Sequence, residues 1–309
     1  MHNDPNDSTV TSGPTDLVVV GYDGSVQADA AVDWAAEEAR HRRSRLLVTS
    51  VSDATWLTDA GLGADSGPGL GLQAAQQLVE QGLARATKAA PDLDVVTSTS
   101  HRHPAEVLVE QSREAALLVL GASGHGALAG TLFGSVAHAA VSHAGCPVVV
   151  VRGEGSHRPG PDRPVVVGVD GSPSCREALG FAAGLAAGHG APLTLVHAWR
   201  PASTSGFAGE YWQRADPGLD PDTGTQATAR DLLQQVAADL REQYPELTVW
   251  TSTVQGDPRG ALSVAADGAA LLVVGARGLG GFTGLVLGSV SHGLVSRAPC
   301  PVAVVHQTR

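Results

Sequence analysis

The chain has 309 residues, with 20 Lys and Arg against 31 Asp and Glu, and its formal net charge is −11. Lys88 is the only lysine, so neither a Walker A loop nor the strand lysine of a protein kinase can be assembled. The acidic balance argues against duplex nucleic acid, whose phosphates are neutralised by Lys and Arg. A polar N-terminus and the lack of an apolar run of about 18 residues predict a cytoplasmic protein without a membrane partner.

Short aliphatic runs alternate with Ala-rich amphipathic runs, and the whole series occurs twice. The first copy predicts strands at Leu17–Gly21, Leu46–Val51, Val95–Thr99, Leu117–Gly121 and Val148–Val151, with helices near 25–42, 70–89, 104–115 and 135–144. The second copy predicts strands at Val165–Val169, Leu193–His197, Thr248–Thr253, Leu271–Gly275 and Val302–Val305, with helices near 173–189, 225–243, 258–266 and 289–297. Strands separated by helices imply right-handed βαβ crossovers and a parallel sheet in each copy.

Short motifs recur together with the predicted elements. Asp23 in Val-Gly-Tyr-Asp-Gly-Ser corresponds to Asp170 in Val-Gly-Val-Asp-Gly-Ser, and each motif follows the first strand of its copy. The segment between the copies is rich in Gly, Pro and Arg, which is typical of a linker. We therefore predict a flexible N-terminus at 1–14, domain 1 at 15–151, a linker at 152–163 and domain 2 at 164–309.

A spaced glycine pattern follows the fourth strand of each copy. It is Gly121-x2-Gly124-x9-Gly134-Ser135 in domain 1 and Gly275-x2-Gly278-x9-Gly288-Ser289 in domain 2. Glycine lets a backbone turn sharply and approach a ligand closely, and the N-terminus of the following helix suits a phosphate group. The aspartate after the first strand is an acceptor for a ribose hydroxyl or an adenine amino group. The pattern predicts a nucleotide site in each domain.

Several of these residues also have a purely structural interpretation. The serine after the last glycine, at Ser135 or Ser289, could be the N-cap of its helix, and the aspartates could cap the first helix. His138 and His292 occupy equivalent helix positions, where they either assist phosphate chemistry or are ordinary exposed histidines. We expect no dedicated metal site and no catalytic residue.

Three motifs, each present twice, resemble the universal stress protein family in its tandem two-domain form. They are Val-Gly-x-Asp-Gly-Ser, Gly-x2-Gly-x9-Gly-Ser and Cys-Pro-Val, and the resemblance covers about 15–306. It implies an α/β fold of two doubly wound domains, each a five-stranded parallel sheet of order 3-2-1-4-5 flanked by helices. In that order Asp23 and Gly121 end the two strands at the topological switch point, where open sheets bind ligands. It also implies that the fifth strands pair, that the domains pack pseudo-symmetrically and that the chain forms a homodimer.

The resemblance further implies ATP as the ligand, with Mg2+ held through the phosphates. The implied contacts of domain 1 are Gly21, Asp23, Val51, Gly121, Ala122, Ser123, Gly124, His125, Gly126, Gly134, Ser135 and Val136. The implied contacts of domain 2 are Gly168, Asp170, Ala198, Gly275, Ala276, Arg277, Gly278, Leu279, Gly280, Gly288, Ser289 and Val290. Because domain 1 has Ser123 where domain 2 has Arg277, we predict that domain 1 binds ATP more weakly or depends more on Mg2+.

The role implied by the resemblance is regulatory. The protein would act in a stress response or in slowed growth, through nucleotide-dependent conformation or binding of a regulatory protein partner. Two alternatives are a slow ATPase or autophosphorylating enzyme, and a scaffold protein that holds no nucleotide.

Overall fold

A computed structural model describes residues 16–51, 68–124, 133–153, 158–200, 221–279 and 287–307. The predicted flexible N-terminus at 1–14 lies outside these residues. Domain 1 contains β1 (Leu17–Gly21), α1 (Val26–Arg42), β2 (Arg45–Val51), α2 (Pro68–Ala89), β3 (Val95–Ser100), α3 (Pro104–Gln111), β4 (Leu117–Gly121), α4 (Ser135–His143) and β5 (Val148–Val151). Domain 2 contains β6 (Val165–Gly168), α5 (Pro173–His189), β7 (Leu193–Trp199), α6 (Pro221–Gln243), β8 (Val249–Gln255), α7 (Pro258–Ala265), β9 (Leu271–Gly275), α8 (Ser289–Arg297) and β10 (Val302–Val305).

The strands form one ten-stranded sheet in the order β3-β2-β1-β4-β5-β10-β9-β6-β7-β8. Within each domain the neighbouring strands are parallel, and the order is the predicted 3-2-1-4-5. The domains join where β5 and β10 pair antiparallel, with Val302 opposite Val150 and Val304 opposite Val148. The doubly wound fold and the pairing of the fifth strands are thus confirmed.

The core consists mainly of aliphatic strands covered by alanine-rich helix faces. All four residues of β5 and of β10 are buried, as expected for strands covered on both faces. Small residues allow helix and sheet to approach closely: a Cβ on Gly121 would lie 2.8 Å from the backbone carbon of Gln27 in α1. The end of β4 is therefore held directly against the first turn of α1. In the described part of the chain, every helix is too short or too polar to span a bilayer.

Helix α3 ends at Gln111 rather than near the predicted residue 115. The reason is the buried Ser112, whose hydroxyl donates to the Val109 carbonyl at 2.6 Å and accepts the Gly145 N–H at 2.9 Å. A serine that bonds to the backbone in this way competes with the helical pattern. The local sequence has no glycine or proline that would predict the end of the helix at this position.

A buried ion cluster joins α1 of domain 1 to α5 of domain 2. The Glu38 side chain is 4% exposed, and its carboxylate pairs with Arg42 of its own helix and with Nε2 of His189 at 2.8 Å. The rings of His41 and His189 stack with their centroids 3.8 Å apart. Burial alone would raise the pKa of Glu38, but the hydrogen bond from His189 and the charge of Arg42 lower it. The carboxylate therefore stays ionised between the domains.

The residues after the fifth strands contact the helix of the opposite domain. Nη2 of Arg152 donates to the Val295 carbonyl of α8 at 2.9 Å. His306, which follows β10, has both ring nitrogens buried, and neither makes a well-formed hydrogen bond to the described residues. Burial lowers the pKa of His306, and backbone groups of Val141 and Cys146 in domain 1 oppose that shift only partly.

We expect His306 to make the fold sensitive to mild acid. A histidine that resists protonation in the folded state contributes stability above its unfolded pKa of about 6.5, and this stability is lost as the pH falls below that value. Because an unpaired buried polar group costs about 1–3 kcal/mol, His306→Leu should raise the free energy of unfolding at pH 7 by about 1 kcal/mol. In urea titrations, the free energy of unfolding should also fall less between pH 7 and pH 5 for the variant than for the parent protein. An equal loss in both proteins would contradict this assignment.

Candidate functional site

A cavity of about 930 Å³ opens at the carboxyl ends of β1 and β4. This volume falls in the usual range for small-molecule sites, and the position is the topological switch point of the domain 1 sheet. The predicted contacts that line it are Gly21, Asp23, Val51, Gly121, Ser123, Gly124, Gly134, Ser135 and Val136. Two motifs that are distant in sequence, the aspartate motif after β1 and the spaced glycine pattern after β4, therefore meet around one space.

Part of the cavity lining is apolar. Tyr22, Val51 and Leu108 line it together with Pro104. The Tyr22 hydroxyl donates to Oδ1 of Asp29 at 2.9 Å, and burial together with this carboxylate raises the pKa of Tyr22 to about 12. Tyr22 therefore stays uncharged, and its hydroxyl proton is already donated to Asp29. This apolar lining suits a planar, weakly polar group.

The glycine loops pass close to the aspartates that follow the first strands. Oδ1 of Asp23 accepts the Ser25 N–H at 3.0 Å, and a Cβ on Gly124 would overlap Oδ2 of Asp23. Only glycine permits the loop to pass so close to that carboxylate. The helix N-cap is Ser25, whose hydroxyl accepts the Ala28 N–H at 3.2 Å, so the interpretation of Asp23 itself as the cap is wrong.

Domain 2 repeats this arrangement around Asp170. Oδ1 of Asp170 accepts the Ser172 N–H at 2.9 Å, while Oδ2 accepts the Leu279 N–H at 3.2 Å. A Cβ on Gly278 would lie 2.5 Å from Oδ2 of Asp170. The hydroxyls of Ser172 and of the neighbouring Ser174 both donate to the Arg277 carbonyl. The second glycine loop is thus tied to the start of α5 through its backbone.

The last glycine of each pattern, not the serine, is the N-cap. Gly134 precedes α4 and Gly288 precedes α8, and neither helix has a side-chain cap. The structural interpretation of Ser135 and Ser289 as N-caps is therefore wrong, because each is the first residue inside its helix. The carbonyl of the buried Ala122 accepts the Gly134 N–H at 2.9 Å and closes the loop. The first turn of α4 consequently presents uncapped N–H groups to the cavity.

The remaining predicted contacts of domain 2 lie at positions equivalent to those of domain 1. Gly168 ends β6, Gly275 ends β9, Ala198 lies near the end of β7, and Val290 lies in the first turn of α8. Ala276 is buried and accepts the Gly288 N–H, as Ala122 does in the first loop. His125, Gly126 and Gly280 lie outside the described residues.

The cavity also includes residues that sequence reasoning missed. Phe133 and Thr49 of domain 1 line it, and so do His292, Ser296 and Arg297 of α8 in domain 2. The sequence identifies His292 only as the counterpart of His138. The repeat itself held no signal that α8 would reach the other domain, since that depends on how the fifth strands pair.

No metal site of protein ligands is evident in the described ranges, where no group of three or more His, Cys, Asp and Glu side chains converges. The three cysteines are buried and unpaired by disulfides. Burial raises the pKa of Cys146 and of Cys300 to about 12, so both remain neutral thiols.

Comparison with known proteins is consistent with this architecture. The model of the universal stress protein family matches residues 15–152 and again 163–306. A universal stress protein of Mycobacterium tuberculosis is 36% identical over 301 residues, with 94% of this chain and 97% of the relative covered. A second one from that organism is 34% identical over 310 residues, with 97% and 99% covered.

A solved structure shares the fold along most of the chain. It is a universal stress protein from Archaeoglobus fulgidus, 18% identical, with a TM-score of 0.65 and coverage of 95% of this chain and 99% of that one. The family model accounts for nearly the whole chain, in two tandem copies. The chain therefore belongs to the universal stress protein family.

Proposed function

We propose that the protein binds ATP in the domain 1 cavity and at the equivalent position of domain 2, with Mg2+ held through the phosphates. The observation that carries this proposal is the convergence of the β1 aspartate motif, the glycine loop and the uncapped N-terminus of α4 around one cavity of about 930 Å³. A lining that combines apolar side chains with glycine-rich backbone matches a ligand that joins an aromatic base to phosphates.

Each part of ATP has a suitable partner along the cavity. Adenine would lie against Val51 and Leu108, and the ribose would lie beside Asp23. The phosphates would follow the glycine loop to Ser135, whose side chain is exposed at the start of α4. Backbone N–H groups and a helix N-terminus bind phosphate as fixed dipoles. Such a site needs no lysine, which is consistent with a chain that has only one.

In this proposal ATP is a regulatory ligand in the cytoplasm, not a substrate to be consumed. Its presence would set the conformation of the protein, and hence the binding of a regulatory protein partner, in stress or slowed growth. A homodimer would form through surfaces other than the fifth strands, because β5 and β10 already pair with each other within the chain.

We expect two molecules of ATP per chain when purified protein is denatured and the released small molecules are identified by mass spectrometry. Protein stripped of nucleotide should bind ATP again in equilibrium dialysis with Mg2+, and should bind GTP more weakly. If no nucleotide is released and none binds when added, the scaffold alternative is correct. Steady ATP turnover that is lost in Ser135→Ala and Ser289→Ala would instead establish an enzyme.

A further inference from the structure

The domain 1 cavity is not built from domain 1 alone. Helix α8 of domain 2 contributes His292, Ser296 and Arg297 to its wall. Among the described lining residues, Arg297 is the one with a permanent positive charge. A guanidinium that faces a cavity lined by uncapped backbone N–H groups adds a second feature suited to an anion.

The direction of the helices places Arg297 near the phosphate end. In a parallel sheet each crossover helix runs opposite to its strands, and β5 and β10 are antiparallel, so α4 and α8 are antiparallel too. The two helices meet at His138 and His292, with ring centroids 5.4 Å apart, and Phe133 contacts both rings. Arg297, at the C-terminal end of α8, therefore extends toward the N-terminal end of α4.

Arg297 is available for a ligand in that position. Its side chain is exposed and forms no ion pair with any acidic side chain in the described residues. Burial, and then the charge of His292, lower the pKa of His138, so that histidine adds no positive charge at neutral pH. The bond from Arg152 to the Val295 carbonyl holds the last turn of α8 against domain 1.

The two repeats differ at the two positions that could supply an arginine to a phosphate group. The loop of domain 1 has Ser123 where domain 2 has Arg277, whereas α8 has Arg297 where α4 has His143. Nδ1 of His143 is 3.0 Å from the Ala139 carbonyl of its own helix. The domain that lacks a loop arginine is thus the one whose cavity receives an arginine from the other domain.

We propose that Arg297 of domain 2 binds the terminal phosphates of the ATP held in domain 1, and that this contact makes ATP, but not AMP, a link between the domains. The proposal rests on the function proposed above. A guanidinium binds phosphate oxygens through two parallel N–H bonds and carries its charge at all physiological pH values. The proposed contact also changes the expectation that domain 1 binds ATP more weakly than domain 2. In this proposal Arg297 replaces the missing loop arginine from across the interface.

Calorimetric titration with ATP and with AMP tests this proposal in the full-length protein, in Arg297→Gln and in the control Arg230→Gln, an exposed arginine of α6 outside the cavity lining. We expect Arg297→Gln to weaken ATP about tenfold at one of two sites, consistent with the loss of charge-assisted hydrogen bonds. AMP affinity should stay unchanged, and Arg230→Gln should behave as the parent protein. Hydrogen exchange in residues 289–297 should slow more with ATP than with AMP.

A second variant tests whether Arg297 acts on the nucleotide bound in domain 1. Gly134→Val should block the domain 1 cavity, and the Cβ of the new side chain has room, since its nearest atom would lie 3.6 Å away. In that background Arg297→Gln should no longer change ATP binding. Equal ATP affinity in parent and Arg297→Gln, equal weakening of ATP and AMP, or an effect that persists with Gly134→Val would overturn the role of Arg297. If the parent protein binds neither nucleotide, the proposed function itself fails.

Discussion

Replacing Glu38 with alanine should destabilise the folded protein by about 3 kcal/mol, since removing one member of a buried ion pair leaves its partners uncompensated. The value lies at the low end of the usual range because Arg42 and His189 keep 27% and 15% of their side chains exposed. The loss should appear as a lower urea midpoint. Because the cluster spans the two domains, the variant should also unfold in two separate transitions.

Glu38→Gln is the matched control, since it keeps the length of the side chain and one acceptor oxygen. It should lose about half as much stability, which corresponds to a hydrogen bond to a charged group of about 1.5 kcal/mol. The lowered pKa of Glu38 means that its contribution is present above pH 4.5, its ordinary value, and is lost as the pH falls further. The difference between parent and Glu38→Ala should therefore shrink at low pH. A constant difference down to pH 3 would show that the charge is not what stabilises the interface.

Gly121→Ala and Gly134→Ala should separate folding from binding within one glycine pattern. A Cβ at Gly121 would lie 2.8 Å from backbone of Gln27, so α1 or β4 must shift, and overpacking of this kind costs about 1–3 kcal/mol. A Cβ at Gly134 meets only ordinary contacts, and replacing this N-cap glycine costs about 1 kcal/mol or less.

Nucleotide binding should show the opposite order. A methyl group at Gly121 would meet Gln27 of α1, whereas one at Gly134 has no atom closer than 3.6 Å and lies at the cavity lining. Gly134→Ala should therefore weaken ATP binding about tenfold, a cost of about 1.4 kcal/mol, in dialysis at a temperature where both variants are folded. Each variant would be compared with the equivalent change in domain 2, Gly275→Ala or Gly288→Ala. If Gly134→Ala binds ATP as the parent does, the phosphates do not follow the predicted loop.

Much of the fold could be predicted because its elements have strong local signals. The aliphatic runs at Leu17–Gly21 and Leu117–Gly121 are strands with those same bounds, since a strand buried on both faces must be apolar throughout. Their glycine ends also located the cavity. The end of α3 was not predictable in this way, because it depends on how the Ser112 hydroxyl meets Gly145, a residue distant in sequence.

The contacts between the domains could not be predicted from the local pattern. Glu38 lies on an ordinary helix face, and nothing nearby in sequence indicates that His189 will cover it. The same holds for Arg297, whose place in the domain 1 cavity follows from the antiparallel pairing of β5 with β10. Similarly, serine is a residue type favoured at N-caps, yet Gly134 and not Ser135 adopts the extended backbone that the cap position requires.

The antiparallel pair at the centre of the sheet has a consequence for how the protein can evolve. Since β5 and β10 belong to one polypeptide, their association is intramolecular, and its effective concentration does not change with the amount of protein in solution. In a dimer of identical subunits every substitution would appear twice, at both symmetric positions. A covalent tandem removes that constraint. Glu38 can therefore face His189, and Ser123 can stand at the position equivalent to Arg277, without a mirrored copy of either change.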